Sequence, residues 1–205
     1  MKKTLSILFI LIQINNLLAQ INKDDIAFEL RYPIPVGDNF LNKGLGDGYH
    51  GIVDIGVDYN FIKINNLGIG ILFNSSILSL SETDLTLIIL NPKIKIDYKI
   101  NINKISIIPN IAIGYSNWRF RAPTMTYEYE NPAQGEKFKE NYDGLSFEWA
   151  SKVVLNSNNR LNWYLNLDYE FTKLEKTEKG ADLKYNRNIH ILYPGIGLLW
   201  KFNKK

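Results

Sequence analysis

No cysteine occurs among the 205 residues, which excludes a disulfide framework, thiolate metal ligands and a lipid-modified N-terminal cysteine. Histidine is nearly as scarce: His50 and His190 are the only two, so imidazole chemistry has few places to start. A long apolar run is missing as well. In MKKTLSILFILIQINNLLAQ the apolar stretch covers residues 5–12 before Gln13 interrupts it, whereas a membrane-spanning helix needs roughly 20 such residues. Two lysines ahead of that stretch and Ala19 behind it make residues 1–19 a secretory signal peptide, leaving 20–205 as the mature domain. Charge of one sign is not in excess either. Without Lys2 and Lys3, 22 basic residues face 21 acidic ones, so the overall balance offers nothing that would recruit nucleic acid.

Apolar residues at three-and-four spacing over a long run are also absent, and what the chain has in their place is alternation. Apolar and polar residues exchange at period two in eight segments, 26–34, 52–62, 67–78, 85–99, 105–116, 145–155, 161–171 and 189–202, the pattern of half-buried strands. The connections differ in length. Residues 63–66, 100–103 and 156–159 are four-residue, Asn-rich turns suited to hairpins, while 35–50, 118–144 and 172–187 are long; only the connection near 81–84 is short where a long one would fit. The spacing predicts an all-β, eight-stranded antiparallel up-and-down barrel with two unlike ends.

One set of alternate residues is nearly free of charge, as in Val53, Ile55 and Val57 of GIVDIGVDYNF. The other carries Glu29, Arg31, Asp54, Asp58, Lys93, Lys95, Asp97, Lys99, Glu148, Lys152, Asp168, Glu170 and Lys201, diluted by glycine. A soluble sandwich, a soluble ligand-binding barrel and a transmembrane barrel could all carry such faces, the last with apolar residues toward lipid and charges in its lumen. Aromatic position separates them. Phe61, Tyr98, Trp163, Trp200 and Phe202 fall near the short-turn end of their strands, and Tyr32, Phe73, Tyr115, Phe147, Trp149, Tyr169 and Phe171 near the other, with Tyr59 on the same apolar face. Belts at two heights are what a pair of lipid interfaces requires. The charged set then fills a narrow lumen, seven acidic residues nearly cancelling six basic ones, as a salt-bridged plug. In-strand Pro33, Pro92, Pro109 and Pro194 call for bulges or strand ends, because proline cannot donate to a ladder.

The segments FELRYPIP, LNPKIKIDYKI, ISIIPNIAIGY and YPGIGLLWKF resemble strands of the small outer-membrane β-barrel family abundant in Bacteroidota, a likeness covering residues 26–202. It implies an outer-membrane location in a Gram-negative cell, contact with outer-membrane lipid and no particular activity. It also implies that the insertion machinery reads a C-terminal strand ending in an aromatic residue. Here Phe202 is followed by Asn203, Lys204 and Lys205, a departure from that ending.

Chemistry is sparse. A serine nucleophile would need His50 or His190 within reach, and nothing in the sequence links inward Ser116 to either. Asp54 and Asp58 are four residues apart, about 13 Å along a strand, too far to share a metal ion; Lys93, Lys95 and Lys152 are their expected partners, and no cofactor is implied. Recognition of a surface protein or glycan is expected in the longest connection, through Trp118, Phe120, Tyr127, Tyr129, Phe138 and Tyr142 interleaved with charge, with TMTYEYE extending a hairpin outward. A non-enzymatic outer-membrane barrel is the leading reading. A soluble exported barrel binding a small apolar ligand, and a lipid-modifying membrane enzyme using the two histidines, are the alternatives.

Overall fold

The computed structural model describes residues 25–43, 48–80, 85–122, 138–156, 160–175 and 187–202, with residues 122 and 138–140 as backbone alone. The expected signal peptide lies outside them. Alternating side chains cannot bury two faces at once, and the sheet they form closes on itself. Its strands are β1 (Asp25–Arg31), β2 (Ile34–Val36), β3 (Tyr49–Ile64), β4 (Leu67–Leu80), β5 (Thr86–Tyr98), β6 (Ile100–Ile102), β7 (Ile105–Ala122), β8 (Phe138–Leu155), β9 (Leu161–Leu174) and β10 (Asn188–Lys201). They run antiparallel in the order β1-β3-β4-β5-β7-β8-β9-β10, and β10 returns to β1. Strand β2 continues β1 along β10, and β6 continues β5 along β7. Ten segments therefore make a closed barrel of eight staves, and closure pairs the first stave with the last, as a sheet in hydrocarbon requires, leaving β2 and β6 with one partner strand each.

Asparagine shapes the tight turns. Ile64 pairs with Leu67 and Ile102 with Ile105, so each turn has two central residues, fewer than the four expected, and residues 100–102 belong to a strand. Asn65 and Asn103 lead these turns at φ 55 and 51°, a left-handed conformation that asparagine tolerates better than most residues. Of the third expected turn, residues 157–159 lie outside the described residues.

Each in-strand proline sits at a gap in a ladder whose register does not change. The β5–β7 pairing skips from Leu90 to Lys93 across Pro92. Pro109 lies between the part of β7 that pairs with β5 and the part that pairs with β6. Pro33 separates β1 from β2, and opposite them the Tyr32 N–H donates to the Pro194 carbonyl at 3.0 Å. The two bulges are elsewhere, in β3 near Ile52 and Phe61.

At the long-connection end a short helix, α1 (Phe40–Lys43), follows β2. Asn39 is its cap: its Oδ1 accepts from the N–H of Leu41 at 3.1 Å and of Asn42 at 3.3 Å, satisfying donors the first turn cannot. The cap turns Leu41 into the barrel mouth, where it is fully buried.

Candidate functional site: the barrel interior

Three layers fill the lumen. Nearest the long connections is an apolar cluster of Leu41 from α1, Leu78 and Leu80 from β4, Leu87 and Ile89 from β5, Trp118 and Phe120 from β7, Leu174 from β9, and Ile189, Ile191 and Tyr193 from β10. Phe40 packs on it with its ring 6.1 Å from that of Phe120, and Tyr142 meets Phe120 edge-on at 5.5 Å. This layer departs from the expectation of a lumen that is charged throughout.

Ion pairs form the middle layer. Arg31 Nε donates to Asp54 at 2.6 Å, its Nη1 to Asp168, and Glu29 lies 3.4 Å away. Lys93 stands 2.5 Å from both Glu148 and Glu170. Lys152 joins Glu29 and Asp58 at 2.5 Å each, and Lys95 joins Asp58 at 2.6 Å and also Asp97. Asp58 thus has two of the expected lysines. Asp54 does not: its partners are Arg31 and the Ser76 hydroxyl at 2.6 Å, because Arg31 on the neighbouring strand faces it directly in register.

Buried charge in this layer does not cancel. Seven carboxylates and four cations are buried, since Lys99 and Lys201, which the near-cancellation counted on, lie half-buried at the short-turn mouth. Neutral donors make up part of the difference. Asn91 donates to both oxygens of Glu170 at 3.0 and 3.1 Å, Thr172 donates to Glu170 at 3.0 Å, Asn60 to Asp97 at 2.8 Å, Asn166 to Asp168 at 3.1 Å and Tyr164 to Glu29 at 3.1 Å. A buried carboxylate needs such bonds whether or not it has a cation. Two tyrosines bound the layer, with the Arg31 guanidinium 4.8 Å from the Tyr193 ring on one side and Lys152 Nζ 5.3 Å from the Tyr164 ring on the other. Glycine makes room for these groups: a Cβ on Gly197 would collide with the Tyr164 ring, and one on Gly195 with the Arg31 side chain.

The third layer, at the short-turn end, is a cavity of about 190 Å³ with mixed walls, lined by Lys95, Asp58 and Lys152, by Lys63, Lys99, Asn66 and Asn101, and by the apolar Ala27, Ile108, Val154 and Leu199.

Outside, the arrangement reverses. Ile94 is 61% and Leu165 64% exposed, and the expected interface aromatics Tyr32, Phe61, Phe73, Tyr98, Tyr115, Trp149, Trp163, Trp200 and Phe202 all point outward and exposed, with Tyr59 and Tyr169 half-buried beside them. Above Tyr115 the outward residues of β7 become Asn117, Arg119 and Arg121, and above Phe171 the outward residue of β9 is Lys173. At the same height the inward residues change the other way, from Ser116 to Trp118 and Phe120, and from Thr172 to Leu174. On β7 and β9 polarity inverts across the wall at this level, whereas on β5 the outward Leu90 and Ile88 stay apolar beside inward Ile89 and Leu87.

The inversion moves several expected recognition residues. Trp118 and Phe120 are not in a loop but in β7, facing inward and buried, and Tyr142 is in β8, half-buried against Phe120. Phe138 opens β8, while Tyr127 and Tyr129 lie outside the described residues. The alternation W-R-F-R from Trp118 to Arg121 was the available signal, because its apolar members continue the inward phase of Ser116.

Neither histidine side chain is hydrogen-bonded to a serine among the described residues. His190 faces outward, its Nδ1 2.6 Å from the Tyr169 hydroxyl and its ring 5.0 Å from that of Phe171. His50 is exposed and pairs with Ser79. Ser116 donates to Asn91 and accepts from Trp118 Nε1 at 2.7 Å.

The sequence matches no protein-family model and no curated protein. Solved structures do match. Neisserial surface protein A, NspA, is similar with a TM-score of 0.57 at 11% identity, over 87% of this chain and 97% of that one. Ail, the attachment invasion locus protein of Yersinia pestis, is similar with a TM-score of 0.50 at 13% identity, over 88% and 100%. The fold is that of small outer-membrane β-barrels.

Proposed function

We propose that this chain is a non-enzymatic outer-membrane protein of a Gram-negative cell whose barrel is a closed anchor and whose long-connection end recognises a surface protein or glycan. The observation that carries the reading is the inversion of polarity above the aromatic belt. From Ile105 to Tyr115 the outward face of β7 is apolar or proline, and ten residue steps tilted as barrel strands are cover about 25 Å, the height of a barrel's lipid-facing band. Strands β7 and β8, at 18 residues each, exceed that need. Their surplus carries a polar exterior over the apolar layer shared with β4, β5, β9 and β10, a stalk for the connection it carries.

Export by the signal peptide over residues 1–19 and insertion read from β10 and the Phe202 that follows it complete the proposal, and the resemblance of segments such as LNPKIKIDYKI and YPGIGLLWKF supports a Bacteroidota origin. The name of Ail describes attachment for that protein, and attachment is the class of activity a stalk of this kind serves. The test is deletion of residues 123–137 in cells displaying the chain, followed by binding to arrays of immobilised glycans and proteins. The expected result is a barrel that still inserts and still shifts on boiling in a detergent gel, with its array signals lost. Full retention of those signals would overturn the recognition role.

A further inference from the structure

The cavity at the short-turn mouth has a chemistry distinct from the interior above it. Its two deep lysines are committed: Lys95 to Asp58 and Asp97, Lys152 to Asp58 and Glu29. Lys63 on the rim is paired with Asp25. Lys99 differs from all three. It is half-buried, and its side chain has no hydrogen bond or ion pair among the described residues, while the positive fields of Lys201 and Lys63 act on it and only Asp25 opposes them. Its backbone is fixed, since the Lys99 N–H donates to the Asn66 carbonyl at 2.8 Å, which holds the ammonium stem at the rim.

We infer that this mouth binds the oxyanion group, phosphate or carboxylate, of a small solute from the periplasm, with Lys99 as its principal contact. A half-buried ammonium without an ion-pair partner among the described residues is stabilised by an anion more than by water. The cavity, at about 190 Å³, has the space of roughly six waters at ~30 Å³ each, enough for a phosphate and part of its hydration. Amides line the same rim: Asn65, Asn66 and Asn101 are present there, and neutral donors of this kind complete the shell of an oxyanion without adding charge. Access is from one side, because the ion pairs of Lys95 and Lys152 close the floor. That the side is the periplasm rests on the membrane reading proposed above; binding itself does not.

The test uses the mature chain folded into nanodiscs of phosphatidylcholine, with inorganic phosphate titrated at constant ionic strength and backbone amide shifts followed by NMR. Saturable shifts are expected at Asn66 and Asn101, with affinity about tenfold weaker after Lys99→Met, the equivalent of one lost charge-assisted contact. Asn66→Asp, which adds a carboxylate at the exposed turn, should weaken it similarly without touching the interior. Heat-modifiable migration checks that both variants are folded. Acetate in place of phosphate separates carboxylate from phosphate preference, and either response supports the site. No saturable shift with either anion, or an affinity unchanged in both variants, would overturn it. Shifts that appear only when phosphatidylglycerol replaces part of the lipid would overturn it too, since the mouth would then be meeting headgroups at the membrane surface.

Discussion

Lys93 shows what a single side chain does in this interior. It is buried, and two carboxylates, Glu148 and Glu170, stand 2.5 Å from its ammonium. Lys93→Met would leave both acids buried without their cation, and removing one partner of a buried ionic group costs about 3–5 kcal/mol. Urea unfolding of the refolded barrel should show a loss of that order. The triple variant Lys93→Met, Glu148→Gln, Glu170→Gln keeps the shapes and removes the charges, so it should recover most of the stability. If the triple were as unstable as the single, the packing of Lys93 rather than its charge would be responsible. Asp54 adds a lesson about reading such residues. The sequence placed it correctly on the inward face, yet its partner is Arg31 rather than a lysine, because partnership depends on which strands lie side by side and in what stagger, information that alternation does not contain.

A strand here carries two environments in series, and the boundary is a change of phase. In β5 the inward residues turn from Asp97, Lys95 and Lys93 to Ile89 and Leu87, while the outward ones stay apolar from Tyr98 through Ile94 to Leu90 and Ile88 and become polar only at Thr86. Arginine placed on the lipid face near the midplane of a barrel costs roughly 2–4 kcal/mol, and close to zero outside the hydrocarbon. Ile94→Arg should therefore destabilise folding into liposomes by that amount, and Thr86→Arg by less than about 1 kcal/mol. Equal costs would place the lipid boundary higher than the inversion does. The eight staves and the outward phase of the aromatics were legible in the sequence, because each depends only on period two and on distance from a turn, but β7 and β8 run on to Ala122 and back to Phe138 through what reads as a connection. The inward apolar layer of Leu78, Leu87, Trp118 and Ile191 was not. It uses the same alternation with the opposite meaning, and a single average face per strand hides the inversion. Prolines left a choice between bulges and strand ends, and the structure takes the second: the gaps they leave fall where β1 and the β5 pairing break without losing register, and the bulges fall in proline-free β3.

For the molecule as a whole, the stacked layers decide what can cross it. Eight strands enclose a space that side chains nearly fill, and open aqueous channels belong to barrels of about 16 strands or more. Here the apolar layer, with Leu41 delivered from α1, closes one end, and the ion-pair layer lies beneath it, so that the cavity at the short-turn mouth ends on the pairs of Lys95 and Lys152. A solute would have to displace both. Breaking the ionic layer alone leaves the apolar seal, and removing α1 alone leaves the ion pairs. Planar-bilayer recordings with the mature chain should accordingly show no steady single-channel conductance, and the same should hold for a variant with Leu41→Ala. A stable conductance in the native chain would mean that water threads the ion-pair layer, and its dependence on salt type would then report whether the three excess carboxylates of that layer select for cations. Silence in both, with heat-modifiable migration retained, would leave the two mouths as separate surfaces of one sealed body, each able to bind on its own side of the membrane.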